Sequence, residues 1–250
     1  MINNKTYIYG KHAIGEVLKN RPQAIEKFWL ASTFKDKEID ALVAKNNIQV
    51  SKLLLPSMPK EIDKEAVHQG VVALVATHKM TVPFADFFRE LKVTKNTCLV
   101  LLDEIQDPHN VGAIIRSAAA FGVAGVLIPE HNQAGVTGSV VKVSAGMAFS
   151  IPLVDIGNIN TTLRDLKDKG FWIYGLDEEG ATPIGEEDFS EPTVLVLGNE
   201  GKGIREKTKE LCDIKLSIPM HPRCESLNVS VSAGIALQAW SSRHQTVLAL

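Results

Sequence analysis

The sequence predicts an α/β protein in two parts, a small α/β domain followed by a larger domain built on a parallel sheet. Three observations carry this. The runs Cys98-Leu99-Val100-Leu101-Leu102 and Val194-Leu195-Val196-Leu197 are apolar at every position, as strands buried on both faces of a parallel sheet require. Between residues 98 and 242, segments with helical spacing alternate with strand-like runs. A separate β-α-β-α-β alternation occupies the N-terminal third. We read 1–78 as the first domain, 79–97 as a linker and 98–250 as the second domain.

Residues 7–20 read as a turn and then a short helix, with Ala13, Ile14, Val17 and Leu18 on one face. A strand follows at 25–30, a charged helix at 37–46, a short strand at 48–53 and a β-rich run at 71–76. In the linker Pro83 interrupts the periodicity, and Phe84, Phe87, Phe88 and Leu91 form an apolar helical stripe that should pack on a neighbour. After the strand at Cys98, a helix spans 111–121 with Asn110 as its N-cap, then a strand spans 124–128. Residues 137–148 read as helical and 151–154 as extended. A helix at 159–169 is closed by Gly170, a residue suited to a left-handed cap. Strands follow at 171–176, 194–197 and 214–218. The last helix, 229–242, turns Val229, Ala233, Ala236, Leu237 and Trp240 to the core, and Asn228 or Ser226 can cap it.

Composition narrows the function. With 45% hydrophobic residues in 250, the chain can bury a substantial core and is not disordered. Its net charge of −2 makes no global case for nucleic acid, so such a partner needs a local basic face. Residues 1–78 hold 11 Lys/Arg against 8 Asp/Glu, a net of +3, which leaves −5 for the rest; the N-terminal part is the better candidate. Three cysteines without a CxxC pattern suit a reducing cytoplasm, with Cys98 and Cys212 as small buried thiols and Cys224 beside a polar loop. No stretch reaches the roughly 18 apolar residues of a membrane span. The start lacks an apolar signal core, and the histidines show no metal-ligand spacing, so we expect neither membrane nor metal.

The chemistry sits where strand-like runs end. Gly198-Asn199-Glu200-Gly201-Lys202-Gly203 has three glycines in six residues, which lets backbone approach a ligand closely. It is neither a P-loop nor an early GxGxxG, so a nucleotide-dependent oxidoreductase is poorly supported. A tight loop with solvated charges explains it equally well. Arg116 is the one charge in an apolar helix; its planar fork suits phosphate or carboxylate, though a surface arginine is the plainer reading. Ile218-Pro219 and Ser226-Leu227-Asn228 frame a short irregular loop whose free backbone groups could read a base edge.

Taken together, Asn110–Arg116, Gly198-Asn199-Glu200-Gly201 and Ser226-Leu227-Asn228-Val229-Ser230 resemble, in order and separation, the three motifs of the SpoU (TrmH-like) branch of the SPOUT RNA methyltransferases. Tyr9-Gly10-Lys11-His12-Ala13 and His68-Gln69-Gly70 resemble the small L30e-like substrate-binding domain of its ribosomal RNA members. The resemblance implies a C-terminal trefoil knot, S-adenosylmethionine as cofactor and a homodimer. It implies cofactor contacts at Gly198, Asn199, Gly201, Ile218, Leu227 and Asn228, and site residues Asn110, Arg116, Glu200, Ser226 and Asn228. RNA contacts fall to Lys11, His12, His68 and Gln69, where His68 and Gln69 could equally stabilise a turn. The reaction implied is methylation of a guanosine 2′-hydroxyl in 23S ribosomal RNA. A transfer RNA 2′-O-methyltransferase and a non-catalytic RNA-binding assembly protein of the same fold are the alternatives. The stretch 221–225 departs from the pattern by being bulkier and more charged.

Overall fold

The computed structural model describes residues 5–54, 62, 67–178, 180 and 182–248. In chain order the first elements are β1 (Lys5–Tyr9), α1 (Lys11–Asn20), β2 (Ile25–Leu30), α2 (Lys37–Lys45), β3 (Val50–Lys52), β4 (Val71–Ala76), β5 (Val82–Pro83) and α3 (Phe84–Glu90). Next come β6 (Cys98–Leu102), α4 (Pro108–Ala120), β7 (Gly125–Pro129), α5 (Gly138–Val143), β8 (Leu153–Ile156), α6 (Ile159–Asp168) and β9 (Trp172–Leu176). The chain continues with β10 (Thr182–Pro183), β11 (Thr193–Leu197), α7 (Glu206–Lys209), β12 (Ile214–Ser217) and α8 (Val229–Arg243). Two compact units result: Met1–Thr81 with Val136–Ser150, and Val82–Gly135 with Ile151–Leu250.

The first unit is a four-stranded sheet in the order β1-β4-β2-β3, with β4 antiparallel to both neighbours and β3 parallel to β2. Strand β1 corrects the reading of residues 7–20 as turn and helix. It is five residues long and is held through its antiparallel register with β4, a partner about seventy residues away that no local pattern reveals. Helix α1 buries Ala13, Ile14, Val17 and Leu18, the face its spacing indicates. The Asp36 carboxylate caps α2 by accepting from the Glu38 and Ile39 amides. Segment 136–150 also belongs to this unit by its contacts. It is not one helix: α5 stops at Val143, and Ala145 and Gly146 take positive φ before a short 3-10 turn.

The second unit holds an eight-stranded sheet in the order β10-β12-β9-β11-β6-β7-β8-β5, in which every pairing is parallel. β6 and β11 lie side by side near its middle and are fully buried, which is why 98–102 and 194–197 are apolar throughout, while Thr193 at the start of β11 turns its hydroxyl to the Glu191 carbonyl. Alternate side chains serve opposite faces. Leu99, Leu101, Val194 and Val196 pack with Leu163 and Leu166 of α6, and the stripe Phe84, Phe87, Phe88 and Leu91 closes on the same cluster. On the other face α4 packs on α8, which meets β11. Val229, Ala233, Ala236, Leu237 and Trp240 of α8 are buried as expected. No helix among the described residues is long and apolar enough to cross a membrane.

Helix α4 starts earlier than the sequence suggested. Asp107, not Asn110, is its N-cap and accepts from the His109 amide, while Pro108 occupies the first helical turn, where its missing N–H costs nothing. Asn110 is thereby freed from capping and lies inside the first turn, buried.

At the end of α8, His244 is buried, stacks on Trp240 at 4.9 Å and places Nε2 2.9 Å from the Phe189 carbonyl oxygen. Burial holds its pKa below the ordinary 6.5; the Phe189 carbonyl opposes this and Lys95 adds to it. Above 6.5 the ring is neutral in both folded and unfolded chains and carries no penalty. As pH falls below that value the unfolded chain takes up the proton first, so stability declines until the folded-state pKa is reached. We therefore expect the denaturation midpoint of the native chain to fall between about pH 7.5 and about pH 5.5 more steeply than that of His244→Gln. Equal slopes in paired denaturant titrations would contradict it.

Candidate active site

Because all strands of the second unit run the same way, the residues after β6, β9, β11 and β12 emerge at one edge. Those after β11 form a closed loop. Asn199 and Gly203 exchange backbone hydrogen bonds at 3.0 and 2.9 Å, and Asn199 Oδ1 accepts from the amides of Gly201 and Lys202. Asn199 Nδ2 donates to the Glu104 carbonyl at 2.8 Å, tying the loop to the end of β6. Gly198 is required here: a Cβ would lie 2.3 Å from the Gly203 carbonyl carbon and the Ile204 nitrogen, both backbone atoms with no room to yield.

A second tie was not foreseen in the sequence. Asp103, directly after β6, is fully buried and accepts from Arg205 Nε at 2.7 Å and from the Arg205 amide at 3.1 Å. Arg205 also lies 3.3 Å from Glu104. The available signal was an aspartate closing a wholly apolar strand, since a buried carboxylate needs a paired donor.

The three polar segments meet through one side chain. Asn110 Nδ2 donates to Glu200 Oε1 at 2.6 Å, and Asn110 Oδ1 accepts from Asn228 Nδ2 at 3.0 Å. Asn228 Oδ1 in turn accepts from the Ser230 amide at 2.9 Å and hydroxyl at 2.6 Å, capping α8. Residues 90 and 118 positions from Asn110 in the chain are thus bonded to it directly.

Beside this network opens a cavity of about 320 Å³, within the range of small-molecule sites. Gly198, Asn199, Glu200, Gly201, Ile218, Ser226 and Leu227 line it; Asn228 and Arg116 do not. The sequence reading missed Asp177, Glu178 and Lys209 on its wall, which follow β9 or sit on α7. Asp177 and Lys209 form an ion pair. Arg116 is exposed on α4 and makes no hydrogen bond or ion pair among the described residues. Six residues separate it from Asn110, which on a helix is about 120° of rotation the short way round and about 9 Å of rise.

Cys98 and Cys212 are unsuited to nucleophilic work. Burial raises the Cys98 thiol well above its ordinary value and pushes Cys212 up to about 12. Exposed Cys224 donates to the Ser226 carbonyl at 3.1 Å.

In the first unit, Lys11, His68 and Gln69 line a separate cavity of about 430 Å³ with Thr33, Phe34 and Lys35. His12 is exposed and does not line it.

The profile of the SpoU rRNA Methylase family matches residues 97–238, a stretch that holds all three bonded segments. The chain belongs to this family. A second profile, RNA 2′-O ribose methyltransferase substrate binding, matches residues 7–81. The SpoU chain is 38% identical to the 23S rRNA (guanosine-2′-O-)-methyltransferase RlmB of Neisseria meningitidis serogroup B, over 98% of its own length and 97% of that protein's. Among solved structures it is similar to the SpoU methyltransferase AviRb from Streptomyces viridochromogenes in complex with the cofactor AdoMet, with a TM-score of 0.79 and 25% identity. That match covers 97% of this chain and 92% of the other. The A. aeolicus TrmH/SpoU tRNA modifying enzyme matches with a TM-score of 0.55 and 31% identity, over 62% of this chain and 78% of its own.

If Asn110 joins the segments energetically as well as geometrically, Asn110→Ala should cost about 0.5–1.5 kcal/mol, the net worth of hydrogen bonds to Asn228 and Glu200, which stay open to water. A double-mutant cycle with Asn228→Ala should then show about 0.5–1.5 kcal/mol of coupling in denaturant unfolding. Strict additivity would mean that the bonded geometry contributes nothing.

Proposed function

We propose that this chain transfers a methyl group from S-adenosylmethionine to the 2′-hydroxyl of a guanosine in 23S ribosomal RNA. The observation that carries the reading is the Glu200–Asn110–Asn228 hydrogen-bond chain at the rim of the 320 Å³ cavity, in a SpoU family member. The cavity fits the cofactor chemically. Gly198 lets the loop backbone close tightly on residues 203–204 at the cavity wall, and the carboxylates of Glu178 and Glu200 there complement a cation, Asp177 being paired with Lys209. Gly198, Asn199, Gly201, Ile218 and Leu227 would hold the cofactor, largely through backbone groups, while Asn228 acts one step removed by fixing Asn110 and the start of α8. When bound, S-adenosylmethionine supplies a methyl group on a positively charged sulfur, open to in-line attack by oxygen.

The residues of this chain then position and polarise. Glu200, oriented by the Asn110 amide, orders the glycine-rich loop, and Asn110 and Ser226 place the ribose. Arg116 stabilises the oxygen that loses its proton and holds phosphate or ribose; with a pKa above ~12 it does not accept that proton. Since Arg116 is exposed on α4 and does not line the cavity, we assign it to the cleft of a second copy in a two-fold homodimer. The first unit supplies RNA contacts through Lys11, His12, His68 and Gln69, and residues 1–78 serve as the substrate-binding part joined through 79–97 to the catalytic part. The trefoil knot belongs to the same reading, with the loops after β11 and β12 crossing. Three free thiols suit a cytoplasmic enzyme.

Ribosomal RNA is favoured over transfer RNA because the 23S enzyme matches nearly the whole chain, whereas the tRNA enzyme matches 62% of it. Labelled methyl transfer to 23S and transfer RNA transcripts decides between them; transfer to tRNA alone overturns the target, and transfer to neither favours a non-catalytic RNA-binding protein.

Arg116→Ala and Glu200→Ala should each abolish transfer while S-adenosylhomocysteine still binds Arg116→Ala. Mixing and refolding the two inactive variants should restore about a quarter of native activity, since half the dimers are mixed and one of their two sites is whole. No recovery argues against the shared site, and an active Arg116→Ala ends the assigned role.

A further inference from the structure

The cavity of the first unit has a composition of its own. It lies between two turns, 31–34 and 68–71, joined by a 2.8 Å bond from the Ala31 amide to the Gly70 carbonyl. Gly70 has a φ of +82 and lies against Phe34: a Cβ there would sit 3.4 Å from the ring. Gln69 holds a φ of +53, unusual for a residue with a side chain, and its Oε1 accepts from the Lys11 amide at 2.8 Å. That bond fixes the amide orientation and leaves its NH₂ to donate elsewhere. His68 Nδ1 accepts from the Gly70 amide at 3.0 Å, so the neutral ring carries its proton on Nε2 and donates from there. Lys11 sits 5.3 Å from the Phe34 ring centroid and pairs with Asp36, whose carboxyl it holds below the usual range. Lys35 makes no ion pair among the described residues.

The cavity therefore presents an aromatic ring with Lys11 over one face, the ammonium of Lys35 and two neutral N–H donors, the Lys11 ammonium being taken up by Asp36. Such a set asks for a flat, acceptor-rich ligand with a negative charge. A nucleotide has all three properties, and its base exposes a face only when it is out of a duplex. We propose that this cavity receives one unpaired nucleotide of the RNA substrate, its base against Phe34 and its phosphate toward Lys35. The inference rests on RNA being the substrate and adds the state in which the first unit takes it: a loop or bulge, not a continuous helix. Neither Phe34 nor Lys35 belongs to a motif the sequence singled out. The two turns and Lys11, brought together from three stretches of the chain, make the site.

The test uses the full chain, a short RNA hairpin with an unpaired loop, and a fully paired duplex of the same stem, read by fluorescence anisotropy. The native chain should prefer the hairpin. Phe34→Leu keeps apolar bulk and should weaken hairpin binding about tenfold, with duplex binding, S-adenosylhomocysteine binding and melting temperature unchanged. Lys35→Gln should lower the slope of log affinity against log salt by about one. Native hairpin affinity in both variants overturns the inference, as does equal weakening on hairpin and duplex. Should Phe34→Leu melt early, Lys35→Gln, altered only at an exposed side chain, decides alone. Methyl transfer to 23S transcripts separates the two levels. If the native chain methylates RNA while both variants bind the hairpin normally, only this inference fails. If the native chain neither binds nor methylates RNA, the proposed function fails with it.

Discussion

The second unit depends on the two-sided hydrogen bonding of Asn110. A carboxylate only accepts, so Glu200 needs a donor; the Asn228 amide nitrogen only donates, so it needs an acceptor. The Asn110 carboxamide supplies both at once, from two separate atoms, at 2.6 and 3.0 Å. Aspartate there would set like charges together, and a hydrophobe would leave both neighbours to water and the segments unjoined. Asn110 can play this part only because Asp107 takes over the capping of α4. Asn228 does two jobs: one end of its amide caps α8 and the other holds Asn110. The starts of two helices and a glycine-rich loop are thereby locked to one another.

The loop after β11 shows how little freedom remains around that lock. Its own backbone closes between Asn199 and Gly203, Asn199 ties it to Glu104, and Arg205 ties its exit to the buried Asp103. Asp103 has no exposed surface, so its charge is tolerable only with the Arg205 pair and amide in place. Most polar groups of the loop are spent on its shape. A ligand meets Glu200, already held by Asn110, together with Lys202 and the backbone facing the cavity. A site made this way is organised before the ligand arrives, which spares the ordering cost of binding.

The two cavities divide the chemistry. That of the second unit mixes both signs of charge with close backbone, which suits a zwitterionic cofactor with a cationic centre. That of the first unit offers donors and an aromatic face, which suits an anion bearing a flat ring. In both, a glycine beside the cavity and a side chain committed to holding a turn shape the wall. In both, the residue types that bind are ordinary, and only their convergence is specific.

Local pattern was enough for the elements whose burial is one-dimensional. β6 and residues 194–197 of β11 are apolar at every position because both faces are covered, and the α8 stripe has the helical period because one face is covered. The motif segments were legible through their joint resemblance to one family, since each taken singly has an ordinary structural explanation. What the sequence could not decide was every assignment that needs a partner far along the chain. β1 is a strand because β4 pairs with it. Asn110 reads as a cap until Asp107 proves the better one. Arg116 is the one charge among apolar neighbours; the fold shows it exposed on α4, and which surface it meets is not written in the local pattern. Burial periodicity is written locally, because each residue reports its own exposure. Hydrogen-bond partnership is a relation between two residues, and only the folded chain brings the second one into reach.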